Sequence, residues 1–138
     1  MQRTFALACV LVAGLTAAGC DNGPDLTPTP TPGDPTTETF TGNVTLNGVV
    51  LHTFNATRSG AVTATITALD PSSEVVGFQL GTFNGVTCAA ILSNPLATVS
   101  SVLSGTTQSA ANLCLIVHDP NGALADKTVA YTVTVSHF

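Results

Sequence analysis

Charge is scarce in this chain. Of its 138 residues, 8% are charged, with Lys plus Arg at 3 and Asp plus Glu at 8. Arg3, Arg58 and Lys127 cannot build a basic patch, which argues against nucleic acid as a partner. An acidic disordered protein needs far more charge than this, so the chain is not of that class. Aromatic residues are also few, at 5%, with no Trp and a single Tyr, Tyr131. Sugar-binding faces commonly rest on exposed Trp or Tyr, and Tyr131 falls on an expected core face. A carbohydrate- or small-ligand-binding domain therefore stands as an alternative rather than the first reading. No CxxC pair, GxSxG elbow or Ser-His-Asp spacing is present.

What remains is rich in Val, Ala, Leu and Thr, which suits pleated, half-buried strands. The length allows one domain. The N-terminus is organised differently from the rest. Arg3 and the terminal amine precede an apolar run from Phe5 to Ala13, and small residues follow to Gly19. The run is too short for a permanent transmembrane helix. Ala17-Ala18-Gly19-Cys20 resembles the lipobox of bacterial lipoproteins, with Ala17 where that family usually carries a larger aliphatic residue. The resemblance implies a signal peptide over residues 1–19 and a lipidated Cys20. Two or three acyl chains would give stable anchoring, at about 0.8 kcal/mol per buried CH₂. Cleavage by the general signal peptidase is the other reading, and it would leave Cys20 as an odd thiol. The partners implied are a bacterial membrane, through the lipid, and another envelope or secreted protein. The location implied is the cell envelope, on its periplasmic or cell-surface side.

Four cysteines are present: Cys9, Cys20, Cys88 and Cys114. Cys9 lies in the segment to be removed, and Cys20 is consumed by lipid. Cys88 and Cys114 are then an even pair in an oxidising compartment, so a disulfide is expected, with two separate buried thiols as the alternative. Residues 20–37 carry Pro24, Pro28, Pro30, Pro32 and Pro35 among threonines. Such a run favours extended polyproline II and makes a spacer reaching about 50 Å.

From residue 38 to residue 138 the period changes to two. Strands are expected over Thr39–Thr45, Val49–Thr57, Ala61–Leu69, Glu74–Phe83, Val86–Leu92, Ala97–Leu103, Leu113–His118 and Thr128–Ser136. Val62, Ala64, Ile66 and Ala68 should face inward, as should Leu113, Leu115 and Val117, and Val129, Tyr131, Val133 and Val135. Asn84-Gly85 signals a hairpin, Asn94-Pro95 a break and Asp119-Pro120-Asn121-Gly122 a turn. Seven or eight such strands give an all-β, antiparallel sandwich.

Phe40-Thr41-Gly42-Asn43-Val44, Val50-Leu51-His52-Thr53-Phe54 and Ser59-Gly60-Ala61-Val62-Thr63-Ala64-Thr65-Ile66 resemble the opening of the bacterial pre-peptidase C-terminal domain. Leu113-Cys114-Leu115-Ile116-Val117 and Tyr131-Thr132-Val133-Thr134-Val135 are similar to its last strands. Phe78-Gln79-Leu80 stands where that family usually has an Asp-rich strand. The resemblance implies a jelly-roll-like sandwich with an accessory, non-catalytic role.

Among single residues, His52 shares a strand face with Phe54 and reads as a half-buried structural His. His118 precedes a turn and His137 lies beside the C-terminus. A His and an acid meeting in a cleft would instead mark a cryptic hydrolase. Asp119, Asn121 and Asp126 supply loop oxygens of the kind that hold Ca²⁺, without EF-hand spacing. The expected function is a non-catalytic lipoprotein presenting an interaction or structural module, with no cofactor beyond the lipid.

Overall fold

The computed structural model describes residues 33–138. The expected signal peptide, Cys20 and most of the tether lie outside the described residues.

Eight strands follow in order: β1 (Thr36–Val44), β2 (Val49–Ala56), β3 (Gly60–Asp70), β4 (Val76–Phe83), β5 (Cys88–Ala97), β6 (Val102–Thr107), β7 (Ala111–His118) and β8 (Val129–His137). They make two four-stranded sheets, ordered β1-β8-β3-β6 and β2-β7-β4-β5, in which every neighbouring pair is antiparallel. The pairings β1–β8, β2–β7, β3–β6 and β4–β5 are nested in sequence. One long two-stranded hairpin rolled up on itself gives that nesting, which is a jelly roll. The first strand begins at Thr36, inside the last two residues assigned to the tether.

Alternation places the core. Val62, Ala64 and Ile66 of β3, Val76, Phe78 and Leu80 of β4, Leu113, Leu115 and Val117 of β7, and Val129, Tyr131, Val133 and Val135 of β8 are all buried between the sheets. At roughly 1.5–3 kcal/mol for each fully buried large aliphatic side chain, these four strands dominate the stabilisation.

Three expectations fail for identifiable reasons. Ala68 is exposed and Leu69 buried, because the β3–β8 register shifts between Ile66 and Ala68. The extra residue, Thr67, turns its hydroxyl to the Thr132 carbonyl at 3.2 Å, and after this bulge the parity of β3 is reversed. Asn94-Pro95 does not end β5, which continues to Ala97. Pro95 sits on an edge strand, where a missing N–H costs no ladder bond, and the Asn94 side chain accepts from the Leu96 N–H at 3.0 Å. The sixth strand lies later than expected. Residues 98–101 form a tight turn, with Ser101 N donating to Thr98 O at 3.0 Å, and Gly105 stands inside β6 opposite Val62 rather than ending it.

The expected Asn84-Gly85 hairpin forms, as a four-residue loop. Asn84 Oδ1 accepts from the N–H groups of Val86 and Thr87 at 2.9 and 2.8 Å, and Gly85 adopts a φ of 97°.

Candidate protein-docking edge

The Cys88–Cys114 disulfide is formed, with its Cα atoms 5.8 Å apart. Strand order puts β4 between β5 and β7, so a flat sheet would separate these Cα atoms by about 9–10 Å. The start of β5 therefore curls back over β4. Two local features allow it. The β4–β5 register shifts between Leu80 and Gly81, which leaves Ile91 as the extra residue. A Cβ on Gly81 would collide with the Ala89 carbonyl, so only glycine lets the two backbones approach this closely.

The curl exposes apolar surface. Val86, Ile91, Leu96 and Val102 are 82%, 70%, 71% and 52% exposed. Three lie on β5 or its leading turn and one opens β6, so all belong to one edge of the sandwich. Ile91 also lines a cavity of about 130 Å³ between the two sheets, together with Val62, Leu80, Leu92, Leu113 and the backbone of Gly105. From Val75 to His118 the sequence contains no Asp, Glu, Lys or Arg, so β4 through β7 present this edge without a formal charge. Native edge strands are usually guarded by charge, most often Lys. Here the guards are Pro95 and the bond from Asn94 to the Leu96 N–H, which block ladder pairing at the end of β5 but leave its apolar side chains bare. Nothing in the sequence reading marked these four side chains. The signal that could have found them is the length of the charge-free run.

The residues singled out from sequence have other uses. His52 packs against Phe40, with ring centroids 5.0 Å apart, and shares a 2.7 Å hydrogen bond between its Nε2 and the Tyr131 hydroxyl. The half-buried structural role expected of it is the one it has. Burial lowers the His52 pKa below its ordinary 6.5 and pushes that of Tyr131 up to about 12, so both groups are neutral near pH 7. Gly42 makes the pair fit, since a Cβ there would strike the Tyr131 hydroxyl.

His137 does meet an acid, with its Nε2 2.8 Å from Glu38 Oε1. Its ring packs at a tilt against Phe54, and among the described residues its buried Nδ1 has no hydrogen-bond partner. A hydrolytic relay needs a nucleophile on that second nitrogen, and among the described residues none bonds to it. His118 packs over Gly77, where a Cβ would meet its ring.

Asp119, Asn121 and Asp126 are not brought together as ligands. Asp119 is buried, and its two carboxylate oxygens accept from the N–H groups of Asn47 at 2.9 Å and Leu124 at 3.0 Å. It fastens the loop before β8 to the turn before β2. Asn121 adopts a φ of 59° as part of that loop, and Asp126 is exposed. Among the described residues, no group of three or more His, Cys, Asp or Glu side chains is placed to hold a metal ion.

The chain matches no family model and no curated protein. Its fold has likenesses among solved structures. One of them is Aeromonas hydrophila PliG, a periplasmic lysozyme inhibitor of g-type lysozyme, with a TM-score of 0.56 and 17% sequence identity over 72% of this chain and 84% of that one. At that identity the likeness concerns the sandwich and carries no site residue across.

Proposed function

We propose that this chain is a lipid-anchored protein of the bacterial cell envelope whose jelly-roll domain works by binding protein, not by catalysis. The observation that carries this is the β5–β6 edge, where four exposed apolar side chains, one of which also lines an apolar cavity, lie in a charge-free stretch of the chain. Isolated surface apolar residues are ordinary, but a row of them on an unguarded edge marks a surface that is covered in use. The disulfide supports an oxidising compartment outside the cytoplasm. The lipobox-like Ala17-Ala18-Gly19-Cys20 supports attachment to a membrane through Cys20, and the proline-rich stretch supports a spacer between the two. The accessory role implied by the pre-peptidase likeness fits the same reading.

The test is a photo-crosslinking side chain placed at position 91 or 96 in cells that express the full chain. Both positions should give protein adducts, while position 41, on the far face of the other sheet, gives none. No protein adduct from either edge position overturns the reading.

The likeness to PliG favours one specific form of it, that the bound protein is a lysozyme. Goose-type lysozyme activity on cell-wall suspensions should then fall in the presence of the purified domain and recover with Ile91→Lys.

A further inference from the structure

We infer that the cavity between the two sheets is a binding site for a free, compact apolar molecule of about the size of a benzene ring. The site lies behind Ile91 and does not depend on a protein covering the edge.

A missing side chain makes this cavity. Gly105 stands opposite Val62 in the β3–β6 ladder, and Val62 is buried, so position 105 faces the interior. Leu103, two residues earlier on the same face, is buried as well. A Cβ at position 105 would meet only Leu92 Cδ1, at 3.5 Å. Gly42, Gly60, Gly77 and Gly81 are the opposite case, since a Cβ at any of them would collide with a neighbour. Those four permit close approach, whereas Gly105 leaves space. Val62 from one sheet and Leu80, Leu92 and Leu113 from the other surround that space, which measures about 130 Å³. Cores are close-packed, and an unfilled volume of this size is destabilising unless something occupies it. Entry is open. β5 and β6 each end a sheet and share no ladder, so side chains alone close the gap between them. Ile91, 70% exposed, lines the cavity and reaches the surface there.

The lining sets the class of ligand. It includes no carboxylate, amine, amide or imidazole side chain. Thr107 shares its hydroxyl proton between the carbonyls of Arg58 and Gly60, at 3.2 and 3.4 Å. Thr106 is an exposed residue at the rim, opposite exposed Ala61. A sugar or another polar ligand would give up its hydrogen bonds to water and gain no side-chain partner in return. Water in the cavity is in the same position, so an apolar group that displaces it gains affinity. An apolar cavity of about 150 Å³ takes up benzene, and the volume here is of that order. A long acyl chain is too large to be enclosed, which leaves a single ring or a short branched hydrocarbon.

Titration of residues 21–138 with benzene, followed by methyl NMR, tests this, since all eight strands lie within that span. The methyl resonances of Val62, Leu80, Leu92 and Leu113 should shift saturably, while those of Val49 and Leu51 on the β2 margin stay where they are. Pyrazine, the same ring with two nitrogen acceptors, should bind at least about tenfold more weakly, because its nitrogens lose their water and find no side-chain donor. Gly105→Val fills the cavity from one sheet and should abolish the benzene response, with the melting temperature unchanged or raised. Leu92→Phe fills it from the other sheet and replaces that variant if Gly105→Val unfolds. Methyls that do not shift saturably, a response that survives in a folded, filled variant, or pyrazine binding as tightly as benzene overturns the inference. If benzene leaves the methyls unmoved while Gly105→Val abolishes crosslinking from position 96 in cells, a partner's side chain fills the cavity. The docking edge then stands and the free ligand is the wrong occupant. If benzene binds as expected and positions 91 and 96 crosslink to nothing, the cavity site stands and the docking reading has failed.

Discussion

At the scale of single residues, the domain handles its few polar groups by fitting them to neighbours instead of hydrating them. His52 shows this best. It sits between the Phe40 ring and the Tyr131 hydroxyl, and burial holds its pKa below 6.5. A proton therefore binds the unfolded chain more readily than the folded one. Stability should fall as pH drops from the ordinary histidine range toward the lower pKa of the folded state, and level off below it. Denaturant unfolding at a series of pH values between neutrality and about pH 5 measures this, with His52→Gln as the comparison. The variant should lose part of the pH dependence while keeping a side chain that can hydrogen-bond Tyr131. An unchanged pH dependence would remove His52 as its source. The histidine's surroundings were legible in outline, because Phe54 shares its strand face. The partner was not, since Tyr131 lies far along the chain and its hydroxyl reaches His52 only because residue 42 is glycine.

At the scale of strands, side-chain alternation was a reliable guide on strands that carry no extra residue of their own. β4, β7 and β8 bury the faces that their sequences announce, because period two is a local property. It misled at Ala68, since a bulge is fixed by the partner strand's register and nothing at that position encodes it. It misled again at Asn94-Pro95, where proline reads as a stop unless the strand is known to be an edge. The exposed side chains of β5 escaped notice for the same reason, because edge position belongs to the sheet and not to the segment. The Cys88–Cys114 bridge was legible from counting alone, yet counting could not foresee that it joins strands separated by a third. That bridge pins the curled start of β5 across a sequence separation of 26 residues. In the chain-entropy account a closed loop of that length contributes about 3–4 kcal/mol. The double variant Cys88→Ser/Cys114→Ser should lose about that much in urea unfolding and should loosen residues 84–91 first, as read by amide hydrogen exchange. Uniform loss of protection over the whole domain would show instead that the bridge does not hold this segment in particular.

At the scale of the whole molecule, the rolled hairpin sets the two ends of the function far apart. β1 and β6 are opposite margins of one sheet, as β2 and β5 are of the other. The chain enters at the β1 margin, where the Gly33 carbonyl accepts from Arg58 Nη2 at 2.6 Å and the Arg58 guanidinium lies over the Phe138 ring. The apolar β5–β6 edge is at the other margin. All of this gains its biological sense from Cys20. If Cys20 carries lipid, the mature chain should begin at that residue, and its N-terminal peptide should be heavier by two or three acyl chains in mass spectrometry. A clickable palmitate analogue should label the wild type, and Cys20→Ala should abolish the label while the domain's disulfide and melting curve stay as they were. An unlabelled wild-type product that starts elsewhere would detach the domain from the membrane. The jelly roll and its bare edge would remain, and the docking reading would then stand without a membrane to hold it.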